Sequence, residues 1–230
     1  MTITFDKITE FNQPVFHNIK GIKPDFDEFD DLTNDPKTKA FAHRISNASQ
    51  SNFRLEELHY NAIDFIFQQP SWLSTRFGDG TYPVWYGSIE LETSFYETLY
   101  HWKRIYIEAP QGITTGLQQP ITTLRTIFTV NCQAALLDLR NKTRKNKELI
   151  DPNPHNYPQT QKIGQRIYKE GYPGLITKSA RIAKGENIVI LKKEILTSPK
   201  HYNDYIYEYD LQTRKIQVKI PKSKRTILVA

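Results

Sequence analysis

The sequence has one cysteine, one methionine and no long apolar run, and these shortages exclude several classes of protein. A single cysteine, Cys132, excludes an internal disulfide framework and a thiol cluster for zinc. Its surroundings, LRTIFTVNCQAALLDL, are typical of a buried strand in which the thiol packs as a small apolar group. No stretch reaches the roughly 18 apolar residues of a membrane helix, and the N-terminus lacks a charged-then-apolar signal segment. The chain is therefore expected to be soluble and cytoplasmic, without a membrane partner.

The familiar glycine motifs of nucleotide binding and of serine hydrolases are also missing. Gly78 and Gly80 form a GDG, but the third glycine of a dinucleotide fingerprint and the strand-to-helix context are absent, as is a GxxxxGK[ST] loop. Ser179 lies in TKSAR, which is not a nucleophile elbow. The sequence thus excludes these common chemistries.

Metal binding has little support in the sequence. The acidic run at 25–35 lacks the glycine and the closing glutamate of a calcium loop. Glu97 and His101 lie one helical turn apart, but no further ligand is close to them in sequence. No metal cofactor is expected.

The charge balance is basic but diffuse. The 31 basic and 25 acidic residues give a net charge of +6, and the basic residues concentrate at 140–147 and after Arg214. This balance favours anionic partners, and a basic nucleic-acid-binding module without catalysis is kept as an alternative function. Solvated surface is the simpler interpretation of each charged run, so direct nucleic-acid binding is not the leading expectation.

Periodicity predicts interleaved helices and strands. Apolar residues at three- and four-residue steps predict helices over 54–67 and 90–104, with a third, glycine-terminated helix over 160–174. Alternating or β-branched runs predict strands in TYPVWYG, RIYIEA, TTLRTIFTVNCQAALLDL, GLITKSAR and ENIVILKK, and a terminal hairpin in YIYEYDLQTRKIQVKI. Residues 141–159 have the composition of a loop. The order of elements predicts one α+β domain with a mixed, mainly antiparallel sheet and flanking helices.

An ordered series of side chains runs through this pattern. Arg76-Phe77 precedes the glycine turn, Tyr86 follows on a strand, and the next helix carries Glu97 with His101 four residues later. Downstream, GYPGLITKSARIAKGENIVIL places Ser179 after a strand and Asn187 at the start of another. In order and spacing, this series resembles the RES domain, a family named for its arginine, glutamate and serine, over residues 70–197.

The resemblance implies an ADP-ribosyltransferase-like fold and cleavage of NAD, as substrate, at its nicotinamide–ribose bond. It further implies a glycohydrolase or phosphorylase that acts as a bacterial toxin and is held inactive by an Xre-type helix-turn-helix antitoxin. The alternatives are an ADP-ribosyltransferase that modifies a protein, the nucleic-acid-binding module, and an interaction protein that keeps the fold without turnover.

The resemblance also assigns roles to residues. Glu97 would hold a ribose hydroxyl and oppose the positive charge that develops as nicotinamide leaves, and Arg76 would grip the pyrophosphate with its planar fork. Tyr86 and Phe77 would stack on nicotinamide or fix its ribose. The further expected ligand contacts are Ser179, on the ribose or a phosphate, and His101, as a support for Glu97 or a donor at the edge of the site.

Each assignment has a structural alternative. Arg76 and Glu97 could form a surface ion pair, Tyr86 could be strand packing, and Ser179 could cap a turn. Gly87 departs from the family pattern, in which a small hydroxyl residue often follows the tyrosine.

The expected organisation has three parts: an N-terminal helical extension at 1–69, the catalytic domain at 70–200 and a C-terminal strand or hairpin extension at 201–230. The two extensions fall outside the resemblance, and homodimerisation through them is a further expectation.

Overall fold

The computed structural model describes residues 3–21, 55–104, 120–221 and 225–230. The acidic run and most of the predicted RIYIEA strand lie outside these ranges. The described strands form a single eight-stranded sheet in the order β1-β2-β5-β4-β3-β6-β7-β8. Their bounds are β1 Ile8–Lys20, β2 Trp85–Ser88, β3 Ile121–Asp138, β4 Gly174–Lys178, β5 Glu186–Ile190, β6 Leu196–Tyr209, β7 Ile216–Lys219 and β8 Thr226–Val229.

Strand β3 connects two parts of this sheet. One of its edges pairs with β1 along the whole of β1, from Ile8 opposite Leu137 to Lys20 opposite Arg125. Its other edge pairs with β6 and, at its end, with β4 in parallel. Because β1 also meets β2 at Ser88, the circuit β1-β2-β5-β4-β3 closes on itself, and β6, β7 and β8 extend from β3 as a meander.

All pairings between described strands other than β3 with β4 are antiparallel. The predicted mixed, mainly antiparallel α+β fold is therefore confirmed. The terminal hairpin is also confirmed, since β6 and β7 pair from Ile206 to Tyr209 across the predicted turn.

Three helical segments flank the sheet. The first, α1, is a continuous run of an α-helical segment at Leu55–His59, a π-helical turn at Tyr60–Asp64 and a short α-helical turn at Phe65–Phe67. The others are α2, Leu91–Trp102, and α3, Tyr157–Lys169. The predicted loop at 141–159 is irregular, with 3₁₀ turns at Arg140–Arg144, Lys147–Ile150 and Pro154–Asn156, and another turn lies at Lys193–Ile195.

In the described part of the expected N-terminal helical extension, residues 8–20 form strand β1 instead of a helix, and helix is present at α1. Residues 8–20 form β1, in which Phe11, Val15 and His17 are buried and residues 12–14 between the first two are exposed. Pairing with β3 satisfies the hydrogen-bonding groups of the backbone in this segment. The N-terminus is thus part of the sheet.

Buried side chains form three clusters that fix the helices on the sheet. Trp85 and Val15 belong to the cluster beneath α1, Phe77 and Tyr82 to the cluster beneath α3, and Phe95 to the cluster between α2 and β6. None of the described helices combines the length and apolarity needed to cross a membrane.

Candidate functional site

A cavity of about 670 Å³ opens where the closed circuit of strands meets α2 and the start of α3. Its described walls come from residues 16–18 of β1, 73–77, 86–88 of β2, the inner face of α2, Pro154 and Tyr157, 177–178 of β4 and Asn187 of β5. Ligand-binding pockets of proteins usually enclose about 300–1,000 Å³, so this cavity has the size of a ligand site. The predicted Arg76, Tyr86, Glu97 and His101 all lie on this wall.

Glu97, on the second turn of α2, is held in the cavity wall by two short hydrogen bonds. Its Oε1 accepts a hydrogen bond of 2.6 Å from Ser179 Oγ and another of 2.6 Å from Asn187 Nδ2. The side chain keeps 23% of its surface exposed. With Oε1 occupied by two donors, Oε2 is the oxygen that remains open to a ligand.

The two donors to Glu97 are themselves held by the sheet. Ser179 follows the last residue of β4, and its Oγ accepts from the backbone N–H groups of Arg181 and Ile182, which fixes the turn. Asn187 begins the part of β5 that pairs with β2, and its Oδ1 accepts from Ser88 Oγ on β2 at 2.9 Å, while its Nδ2 donates to Glu97. Strand register thus orients the carboxylate of a helix.

Ser179 is buried, with 5% of the residue exposed, and its hydroxyl donates to Glu97. The same hydroxyl accepts from the backbone of the turn at Arg181 and Ile182, so the capping alternative is present together with a link to the site. The predicted contact of Ser179 with ribose or phosphate stays a prediction.

Arg181 is a site residue that sequence reasoning missed. Its side chain is 6% exposed, and its Nε lies 3.8 Å from Glu97 Oε2. The guanidinium lies over the ring of Tyr100, 3.3 Å from the centroid, and donates to Pro152 O and Tyr157 Oη at 3.1 Å each. A buried cation beside a carboxylate strengthens the field at Oε2 and restricts its movement. The run TKSAR contained this arginine, but nothing in the sequence marked it as buried.

Arg76 reaches the opposite side of the cavity from the loop before β2. Its Nη1 donates to Asp151 O at 2.7 Å, and its guanidinium lies 4.7 Å from the ring centroid of Tyr157. Thr160 Oγ1 donates to the Arg76 carbonyl, which fastens this loop to α3. Arg76 and Glu97 do not form an ion pair in this structure, so the guanidinium is not neutralised by the carboxylate.

Tyr86 lines the cavity from β2 with its hydroxyl already engaged. The hydroxyl accepts from Phe77 N and donates to Thr75 Oγ1, both at 3.0 Å. Burial raises the pKa of Tyr86 to about 12, so the phenol stays protonated at neutral pH. Its part in a site is to support the Arg76-Phe77 loop and to present its ring.

Phe77 is a buried member of the cavity wall. It has 0% exposed surface and belongs to the core cluster under α3. Gly164 lets α3 approach so closely that an added Cβ would stand 2.0 Å from the Phe77 carbonyl, which fastens this loop to the helix. The predicted stacking of Phe77 on nicotinamide stays a prediction.

His101 lies at the rim of the cavity, one turn beyond Glu97, and is exposed. Its ring meets Tyr100 edge to face with centroids 5.3 Å apart. Its place suits a donor at the edge of the site, while the direct supports of Glu97 come from Ser179 and Asn187.

The described wall of the cavity carries a net positive charge. Three permanent cations line it, Arg76, Arg104 and Lys178, and Glu97 is the one carboxylate among the described lining residues. A wall with this charge favours an anionic ligand, and Glu97 is the point on the wall that would attract positive charge on that ligand. The described residues contain no group of three or more His, Cys, Asp or Glu side chains placed to hold a metal ion.

Comparison with known proteins identifies a family. The family model of the RES domain matches residues 51–211, more than half of the chain. None of the curated proteins compared with the chain matches it. A similar solved structure is titled "Crystal structure of the M.tuberculosis MbcT-MbcA toxin-antitoxin complex"; it shares 11% identity over 86% of this chain and 85% of that chain, with a TM-score of 0.45.

Proposed function

This chain belongs to the RES domain family, and we propose that it cleaves NAD at the nicotinamide–ribose bond and acts as the toxin of a toxin–antitoxin pair. With water as acceptor, NAD⁺ and H₂O give ADP-ribose, nicotinamide and one proton. With inorganic phosphate as acceptor, the anomeric carbon receives a phosphate oxygen and nicotinamide leaves in the same way. In both cases the C–N bond breaks with its electron pair on nicotinamide.

The observation that carries the proposal is the double hydrogen bond to Glu97 Oε1. Loss of nicotinamide leaves positive charge on the ribose ring, and a fixed carboxylate opposes that charge without reorganising. Ser179 and Asn187 hold one oxygen at 2.6 Å each, so Oε2 is positioned in advance. Oε2 then accepts a hydrogen bond from a ribose hydroxyl and faces the anomeric carbon.

The cations of the wall bind the remainder of the dinucleotide. Arg76 presents a planar fork that matches two oxygens of a pyrophosphate, and Tyr157 supports its guanidinium from one face. Arg104 and Lys178 add positive charge to the same wall as Glu97. This arrangement supports an anionic substrate with the reacting ribose near α2.

The test is nicotinamide release from NAD by the purified chain. We expect turnover by the wild type and a fall of about 100-fold or more in Glu97→Gln, which keeps an acceptor for Ser179 and Asn187 but loses the charge. Glu92→Gln is the matched control, because Glu92 is an exposed glutamate on the same helix. Lack of NAD loss in the wild type, or equal turnover in Glu97→Gln, would overturn the proposal.

The acceptor is decided by a second measurement. Product analysis in buffers with and without phosphate separates hydrolysis from phosphorolysis, and transfer of labelled ADP-ribose to protein identifies a transferase. In cells, induced expression should arrest growth while the NAD pool falls, and co-expression of an Xre-type helix-turn-helix antitoxin should restore both. Growth arrest in the Glu97→Gln strain with an intact NAD pool would contradict the toxin mechanism.

A further inference from the structure

Two buried side-chain polar atoms in the described part of the chain lack a hydrogen-bond partner, and both belong to residues around the site: Arg181 Nε and His17 Nε2. Buried polar atoms are nearly always paired, so an exception at a cavity calls for an explanation. Arg181 has one, since its guanidinium faces the charge of Glu97 at 3.8 Å. His17 lies on β1, lines the cavity and is 7% exposed.

The chemistry of the His17 ring follows from its other nitrogen. Nδ1 lies 2.8 Å from the carbonyl oxygen of Tyr86, which only accepts hydrogen bonds, so Nδ1 carries the hydrogen. Burial, helped by the charge of Arg125, lowers the pKa of His17 to about 4, and the ring is neutral at physiological pH. Nε2 of a neutral ring protonated at Nδ1 bears a lone pair and no hydrogen, which makes it an acceptor.

The position of the ring is fixed by β2. The imidazole stacks on Trp85 with centroids 4.5 Å apart and an interplanar angle of 24°, and the indole Nε1 donates to Ala62 O. Gly87 gives the indole its space, because a Cβ at that position would lie 2.7 Å from the Trp85 ring. A side chain at position 87 would therefore disturb the indole on which His17 stacks.

We propose that His17 forms a subsite on β1 that accepts a hydrogen bond from an uncharged N–H or O–H donor of the bound ligand. The subsite lies outside the matched range 51–211, so it is a feature of this chain's N-terminal strand. Asn18 does not compete for the ligand, because its amide is committed to Tyr207 Oη, Ser94 O and Arg125.

The inference rests on the proposed function for the identity of the donor. In NAD, two kinds of neutral donor lie near the bond that breaks: the amide N–H₂ of nicotinamide and the hydroxyls of its ribose. Glu97 on α2 and His17 on β1 would then hold the reacting half of the substrate from two sides. If the amide is the donor to Nε2, the subsite also distinguishes NAD from an analogue whose amide is replaced by a carboxylate, because a carboxylate accepts hydrogen bonds but does not donate one.

Two isosteric substitutions separate the nitrogens. In His17→Asn, the side-chain amide N–H₂ stands where Nδ1 stood and can keep the bond to Tyr86 O, but the Nε2 acceptor is lost. In His17→Gln, the amide oxygen stands near Nε2 and keeps the acceptor, while the group at the Nδ1 position is lost. Thermal unfolding of both variants shows that each is folded before kinetics are compared.

The experiment compares NAD with its nicotinic acid analogue and with analogues deoxygenated on the nicotinamide ribose, using kcat/KM and the affinity of each variant. We expect His17→Asn to lower kcat/KM for NAD by about tenfold, and His17→Gln to retain most of it. If the wild type and His17→Asn have equal kcat/KM for one analogue, the group that this analogue lacks is the donor. The nicotinic acid compound would identify the amide, and a deoxy compound would identify a hydroxyl.

The outcomes are distinct. Loss of selectivity in His17→Asn for either analogue supports the subsite and names its source. If wild-type turnover is intact and His17→Asn lowers kcat/KM equally for NAD and every analogue, the subsite is overturned while the proposed function stands. If the wild type neither binds nor turns over NAD, the proposed function fails, and the NAD donor assigned to His17 fails with it.

Discussion

Ser179 Oγ lies 2.6 Å from Glu97 Oε1 across 82 positions of sequence, and it reaches that oxygen from a buried turn. The hydroxyl acts on the site through the carboxylate that it holds, and it also accepts from the backbone of the turn that carries Arg181. The site thus contains side chains that line the cavity, such as Glu97, and side chains that orient them, such as Ser179.

Removal of the Ser179 hydroxyl should therefore lower kcat more than it changes KM. Ser179→Ala leaves Oε1 with Asn187 alone, and we expect a loss of roughly tenfold in kcat for NAD, with Ser179→Thr retaining more because it keeps the hydroxyl. In a Glu97→Gln background the same substitution should have little further effect. Additive losses in the double variant would show that Ser179 acts independently of Glu97.

Arg181 should be needed for its charge and for its shape. We expect Arg181→Ala to lower kcat by at least about tenfold, because the field at Glu97 Oε2 weakens and the ties to Pro152 and Tyr157 are lost. Millimolar guanidinium should restore part of the activity of this variant while leaving the wild type unchanged. Arg181→Lys keeps the charge without the planar fork and should fall between the two; full activity in Arg181→Lys would show that the fork is dispensable.

Acidification should destabilise the protein through His17. The folded pKa of about 4 lies below the usual value of 6.5, so the unfolded chain takes up the proton first. The contribution of His17 to stability is complete above pH 6.5 and is lost as the pH falls toward 4. At about 1.4 kcal/mol per pKa unit, going from pH 7.5 to 4.5 should cost the wild type roughly 2–3 kcal/mol more than His17→Asn, which does not titrate. Denaturant unfolding at the two pH values measures this difference, and parallel losses would contradict it.

The close approach of α3 to the Arg76 loop predicts an effect of one methyl group. Gly164→Ala places a Cβ 2.0 Å from the Phe77 carbonyl and 2.8 Å from Tyr82 Oη, so the helix or the loop must shift. We expect a loss of about 1–3 kcal/mol in the free energy of unfolding and a higher KM for NAD, because Arg76 moves with the loop. Lys162→Ala, on the exposed side of the same helix, is the control. An unchanged KM together with lost stability would show that the position of this loop does not affect the binding of the pyrophosphate.

The sequence was informative where spacing reports geometry. Arg76, Tyr86 and Glu97 could be predicted to share a site because their order and spacing resemble the RES domain, and all three line one cavity. Burial was harder to predict: an aromatic next to an arginine gives no sign of which side it faces, and Phe77 proved to be core. Arg181 and His17 depend on partners far along the chain, Glu97 and Tyr86, and no local pattern encodes such pairs.

The N-terminal strand was missed for a related physical reason. Residues 8–20 alternate only in part, and their strand structure comes from the β3 edge they pair with, from Ile8 opposite Leu137 to Lys20 opposite Arg125. Strand structure that depends on a distant partner is weakly marked in the segment itself.

That pairing also sets an order of events for a newly made chain. Strand β1 leaves the ribosome before β3, and this edge of β1 has no partner until β3 has followed, so the closed circuit and the wall at His17 are completed late. Until then the cavity lacks one side. A truncation that removes β1 would leave one edge of β3 bare along most of its length, which favours sheet-to-sheet aggregation over a smaller folded protein.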